Sequence, residues 1–253
     1  MRSLLTIAAK DIRSSFVTPI AYVAIAGFIL LSGFFFFTLL QNFNLISAQA
    51  ALYKNLNPNL NQFVISPFYE TMEIVLIFLV PLLTMRSFAE ERSQGTFELL
   101  MTSPVSPTAL VWGKFLAVSV VCTIMLLLSL VFPGVLVIYS DPEVAPVFVG
   151  FLGLVLFALS FAAIGVAISS FTSSQAVAGV VGLVTLLIFY VIKAPADQLT
   201  GPLHSFFRYI APTTHSEMFF KGVIQSSDVV YFLSVILLGL FVANRVVDTQ
   251  RWR

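Results

Sequence analysis

Charge is what this sequence has least of: 10% of its 253 residues are Asp, Glu, Lys or Arg, against roughly 25% in an ordinary globular domain. With 58% of residues hydrophobic, a soluble fold of this length lacks the interior to hide its apolar surface, because even well-packed domains leave much of it wet. A net charge of +1 offers no basic face to nucleic acid. The one cysteine, Cys122, excludes an intrachain disulfide, and its place inside an apolar run marks it as a packing residue. Two histidines, His204 and His215, are too few and too far apart to suggest a metal site. No Gly-x-x-x-x-Gly-Lys-Ser/Thr loop occurs, so no stretch can cradle nucleotide phosphates; Gly113-Lys114 is a lone dipeptide. No paired metal ligands and no Ser/His/Asp arrangement fall at membrane depth, which argues against an intramembrane enzyme.

What the sequence has is long apolar runs. Crossing a hydrocarbon core of about 30 Å takes roughly 20 helical residues, and six segments meet or approach that length: about residues 19–40, 64–85, 115–139, 147–171, 176–192 and 229–244. The expected fold is therefore an all-α integral membrane protein with six transmembrane helices, forming a single domain over residues 1–253. Ala48-Gln49-Ala50 resembles a signal-peptide cleavage site, but the apolar core before it is too long, and the first segment reads as a retained helix. With the N-terminus inside, the inner segments hold Arg2, Lys10, Arg13, Arg86, Arg92, Lys114, Arg245, Arg251 and Arg253; the outer ones hold Lys54, Lys193, Arg208 and Lys221. The positive-inside rule then puts both termini in the cytoplasm. Residues 41–63, polar and rich in Asn, read as an outer loop with a turn at Asn57-Pro58-Asn59, and Thr172 to Gln175 as a tight inner turn. Pro81 and Gly165 are candidate bends, with ordinary helix packing the commoner explanation, and the run Phe34 to Phe37 is lipid-facing or packing, with a substrate cavity as the alternative.

Four features outside the plain spans carry information. Residues 2–16 place Leu4, Leu5, Ala8, Ile12 and Phe16 at helical spacing with Lys10 and Arg13 elsewhere on the wheel, which suits an N-terminal interfacial helix. The inner connection from Met85 to Leu100 sets Phe88, Phe97 and Leu100 amid dense charge, a pattern for a short amphipathic helix bent near Gly95 and stopped by Pro104 and Pro107. Such a helix is either a docking element for a cytoplasmic partner or a solvated loop with internal Glu–Arg pairs. The outer connection 193–228 is too apolar for water, holding Phe206, Phe207, Met218, Phe219 and Phe220 among others, and Pro202 and Pro212 split it into two pieces too short to span. These form a re-entrant hairpin or a flat interfacial cap. Finally, Glu70 and Glu73 stand one turn apart on the second span. They line a pathway or dimer interface, with Arg208 or Lys193 opposite, or else sit at the outer headgroups.

The stretch "RSFAEERSQGTFELLMTSPVSPTALVWGKFLA" resembles the cytoplasmic loop of ABC type-2 transporter permeases, in which a Glu-Glu-Arg step, Gly-Thr, Leu-Leu, a Pro-containing turn and Gly-Lys follow in this order. "AAKDIRSSFVTP" and "HSEMFFKGVIQSSDVVYFLS" extend the likeness along the chain, which is most similar to permeases of gliding-motility and related export systems. The resemblance implies two six-helix permease subunits in a bacterial inner membrane, each resting on a separate ABC ATPase subunit that binds ATP and Mg, with no cofactor in this chain. It implies that Glu90, Glu91, Arg92, Gly95, Thr96, Phe97 and Leu100 form the ATPase-coupling helix. It also implies that the hairpin before the last span closes the outer mouth of the pathway, so that Glu70, Glu73, Arg208, His215 and Phe219 line the translocation path or outer gate. The alternative from residue chemistry alone is an ion-coupled carrier or passive channel that uses the intramembrane carboxylates.

Overall fold

The computed structural model describes residues 2–52, 59–98, 105–140, 143–196 and 201–251, and all regular structure among them is helical. Helix α1 (Arg2–Val17) turns at Thr18 into α2 (Pro19–Leu52). A π-helical turn (Asn61–Ile65) leads into α3 (Ser66–Thr84), and α4 (Arg86–Ser93) follows after Met85. Next come α5 (Pro107–Ser129), α6 (Val131–Ser140), α7 (Val144–Phe171) and α8 (Gln175–Val191). Three short helices, α9 (Lys193–Ala196), α10 (Pro202–Ile210) and α11 (Pro212–Phe220), precede the last, α12 (Ser226–Arg251).

Among the described residues, five stretches are long and apolar enough to cross a membrane: 19–50, 61–93, 107–140, 144–171 and 226–250. An apolar chain in lipid must satisfy every backbone group internally, which leaves the helix as its solution. Helix starts are marked locally where the sequence supplies a cap: the Ser106 hydroxyl accepts from Ala109 N at 3.3 Å with Pro107 in the first turn, and the Ser174 hydroxyl accepts from Val177 N at 3.4 Å. Helix α8 has 17 residues, about 25 Å at 1.5 Å per residue. It nevertheless runs from one end of the bundle to the other, with Gly179 against Met85 near its start and Tyr190 beside Glu73 near its finish.

Two expectations are corrected. Residues 41–52 are not part of an outer loop: α2 continues through them, because Phe43, Leu45, Ile46 and the alanines that follow sustain a helix beyond the thickness of the bilayer. The uncharged third segment is not one unbroken helix either. It breaks at Leu130, whose amide bonds to Leu127 at 3.2 Å, because Pro133 has no N–H to give and its ring clashes with the carbonyl four residues back. At the two candidate bends the structure shows the packing alternative. Helix α3 runs through Pro81 to Thr84 without interruption, and Gly165 marks a contact, since a Cβ there would stand 2.2 Å from Thr84 Oγ1. Asn57-Pro58 and Leu100 to Pro104 lie outside the described residues.

Helix α7 is the axis. It packs against α3, α5, α8, α11 and α12, and its buried positions alternate bulky Phe157 and Phe161 with Gly150, Gly153, Ala158, Ser160, Ala162, Ala163 and Gly165. Small side chains let neighbouring backbones approach closely, which is where helix association in lipid finds its van der Waals energy. Cys122 is fully buried in the same core. The run Phe34 to Phe37 of α2 divides: Phe36 packs on Phe68 and Phe132, while Phe34 and Phe37 face outward.

Candidate functional site

Two polar regions stand out from this apolar frame, one at each end of the bundle. At the end that holds α1, α4 and the last turn of α12, the chain gathers most of its charge. Helix α4 begins one residue after α3, so its first amides have no helical acceptor. Ser169 on α7 supplies one: its hydroxyl accepts from Phe88 N at 3.0 Å and Ala89 N at 3.2 Å, and donates to Met85 O at 3.1 Å. Phe88 and Ala89 are fully buried at this junction. Helix α4 stops at Gln94-Gly95, where Gly95 adopts a φ of 69°, a left-handed conformation that other residues enter at a cost. The bend expected near Gly95 is therefore this turn, and Thr96 closes it by donating its amide to Glu91 O at 3.0 Å.

Within that frame the predicted coupling residues separate into two sets. Arg86 holds Glu90 bidentately, at 2.6 and 2.9 Å, and reaches Thr18 at 3.2 Å. Gln94, Gly95, Thr96 and Glu98 are exposed. Glu91 turns inward instead. Its side chain is 13% exposed and pairs with Lys114 Nζ at 2.8 Å, while Lys10 stands 3.6 Å away on the solvent side. Lys114 is 3% exposed, also bonds Asp11 at 3.3 Å, and lies over the Phe88 ring at 5.1 Å. Arg92 donates to Gln250 of α12 and covers the Phe97 ring at 4.7 Å, so Phe97 belongs to this chain's own core. Leu100 lies outside the described residues.

Sequence reasoning missed the centre of this cluster. Lys114 was visible only as an inner cation and the end of the Gly-Lys step, and Asp11 only within the N-terminal stretch of the resemblance. Their meeting depends on how α1 docks. Leu4, Ile7 and Asp11 of α1 meet α5 and Ala8 is buried; of the expected stripe, Leu4, Ala8, Ile12 and Phe16 are at least half-buried, while Leu5 is 64% exposed. Gly113 allows that approach, since a Cβ there would fall 2.8 Å from Ile7 Cγ2 and 3.2 Å from Leu4 O. A cleft of about 370 Å³ opens between α1, α2, α4 and α5, lined by Lys10, Asp11, Arg86, Glu90, Glu91 and Lys114.

At the opposite end, Pro202 and Pro212 split the connection as expected, into two nine-residue helices joined through extended Ala211. They are not equivalent. Helix α11 is buried against α7, where Phe219 fills the space left by Gly153, while α10 buries none of its residues and exposes Leu203, Phe206 and Tyr209. The predicted gate residues scatter accordingly. Arg208 is exposed on α10. His215 is enclosed by its own partners: Nδ1 lies 2.8 Å from Asp228 Oδ1, Nε2 lies 2.9 Å from Tyr209 O, and the ring stacks on Tyr231 at 3.9 Å. Glu70 is exposed and Glu73 buried, and both line a cavity of about 540 Å³ between α3, α8 and α11. Tyr190, Lys193, Thr213 and Glu217 complete much of its wall, and Lys193 is paired with Glu217. Of the two cations proposed to face the carboxylates, the structure brings up Lys193.

An ion-paired cleft thus lies at one end of the helices and an acidic cavity at the other. A family model described as "ABC-2 family transporter protein" matches residues 37–243, well over half of the chain. No curated protein matches the sequence.

Proposed function

This chain belongs to the ABC-2 transporter family and is a membrane permease component of an ABC transporter; we propose that it couples ATP hydrolysis in a separate subunit to export of its substrate. Permeases of the family work with an ABC ATPase subunit. In this reading the exposed turn from Gln94 to Glu98 and the outer face of α4, with Glu90, meet that ATPase on the cytoplasmic side. ATP and Mg bind in the partner. The observation that carries the reading is the tethering of α4 by other helices: Ser169 ties it to α7, Lys114 and Asp11 tie it to α5 and α1, and Gln250 ties it to α12. A push on so short a helix is thereby delivered to long ones, because charge-assisted and buried contacts transmit displacement rather than absorb it.

The same reading counts α8 as a sixth span, with both termini in the cytoplasm of a bacterium, and pairs two permease subunits. Export, and the finer likeness to gliding-motility permeases, follow the resemblance of the inner loop. Purifying the chain from native membranes is expected to recover a stoichiometric ATPase stimulated by the permease. Glu91→Lys sets a third cation beside Lys10 and Lys114, and is expected to leave the chain inserted while cutting that stimulation at least tenfold. Normal stimulation and ATPase association in the variant would remove Glu91 from the coupling path. Ion flux through the chain alone, with no ATPase recovered, would favour the carrier or channel reading.

A further inference from the structure

The cavity between α3, α8 and α11 has a chemistry of its own. Three carboxylates and one ammonium line it, and that ammonium, Lys193, is taken by Glu217. Lys193 also faces Glu73, but its salt bridge is to Glu217, so one ammonium serves three carboxylates. Glu73 is 3% exposed, and its Oε1 is buried with no hydrogen-bond partner; Thr213 Oγ1, on the facing helix, is buried and unpartnered in the same way. Buried polar atoms are nearly always partnered, so two orphans on one cavity wall mark a place where a ligand supplies what the protein does not. A buried carboxylate in addition calls for a counter-charge or a proton. Aromatic and apolar walls adjoin the carboxylates, from Tyr190, Val191 and Phe220, and the volume of about 540 Å³ lies in the range of small-molecule sites.

We propose that this cavity binds an amphiphilic organic cation, with Glu73 as its counter-ion, Glu70 as a second negative charge at the exposed side and the aromatic rings against its apolar body. Ring faces attract cations as well as apolar groups, so the walls and the carboxylates favour the same ligand class. An anion would gain no free positive partner here, since Lys193 is paired with Glu217, and is disfavoured. The inference rests on the permease reading for its purpose and names the substrate class that reading leaves open.

The test uses the full chain, with whatever subunits purify alongside it, in lipid nanodiscs. The probe is radiolabelled tetraphenylphosphonium, and binding to empty nanodiscs is subtracted. Saturable binding is expected, weakened at least tenfold in Glu73→Gln and about threefold in Glu70→Gln. Tetraphenylborate, an anion of the same shape measured separately, is expected to show no saturable binding. Absence of saturable cation binding, equal affinity in Glu73→Gln, or equally tight binding of the borate would each overturn the proposal. Should Glu73→Gln fail to insert, Glu70→Gln and Thr213→Val read the same cavity, and wild-type affinity in both would overturn it. ATPase recovery is scored on the same preparations. Loss of the cation site with the ATPase retained refutes this inference alone, and loss of the ATPase refutes the coupling.

Discussion

At the scale of single residues, Lys114 has more depending on it than any other charge near α4. Its ammonium is 3% exposed and lies within 3.3 Å of carboxylates from two different helices. Breaking a buried pair by removing one partner costs about 3–5 kcal/mol, mostly because the other charge is stranded. Lys114→Met is therefore expected to lower the thermal unfolding midpoint in detergent markedly, while Lys10→Met, whose side chain is 65% exposed, is expected to change it little. A differential scan of the two variants checks this; equal midpoints would show that the buried cation carries no such load. Glu91 was legible from the sequence as part of a charged motif, but its direction was not. A motif gives the order of residues along the chain, and what turns Glu91 inward is a lysine on another helix, itself held by an aspartate 103 residues before it.

At the scale of elements, the chain's prolines were the most readable signal. Pro202 and Pro212 divide the last connection where their missing amides predict, and the Gly95 turn falls where the charge pattern placed a bend. Pro133 carried the same information and was overridden in the sequence reading by an unbroken run of apolar residues. The length of α2 was hidden for the opposite reason: Asn and Gln in residues 41–52 read as loop, yet a helix already formed in lipid extends into water at small cost per residue. The docking of α1 could not be read at all, because it depends on an absence, the missing side chain at Gly113. Gly113→Leu is expected to drive Ile7 and the Leu4 carbonyl away and lift α1 from α5. Limited trypsin digestion of the folded variant in detergent should then cut at Lys10 and Arg13 many times faster than in the parent protein; an unchanged cleavage rate would mean that α1 accommodates the leucine in place.

At the scale of the whole molecule, five helices among the described residues are long and apolar enough to cross between two chemically distinct ends, and the shorter α8 is the proposed sixth. Cys122 is fully buried, which leaves a nearly silent background for thiol labelling. Single cysteines at Ser173 and Ala194, both exposed at opposite ends of α8, are expected to differ: Ala194→Cys reacts with an impermeant maleimide from outside intact cells, and Ser173→Cys reacts only after the membrane is opened. Equal labelling from one side would show that α8 does not cross. The outer helices α2 and α12 keep most of their span surface outside the bundle, with 22% and 28% buried, so lipid or a second subunit covers what this chain leaves bare. The order of synthesis adds a constraint. Chains emerge from the ribosome N-terminus first, so the carboxylates of Asp11 and Glu91 are made before the ammonium that joins them. Until Lys114 and its neighbour Gly113 follow, α1 lacks the surface of α5 and the buried cation, and has only α2 and the pair of Glu91 with exposed Lys10 to hold it: the first helix made is seated late.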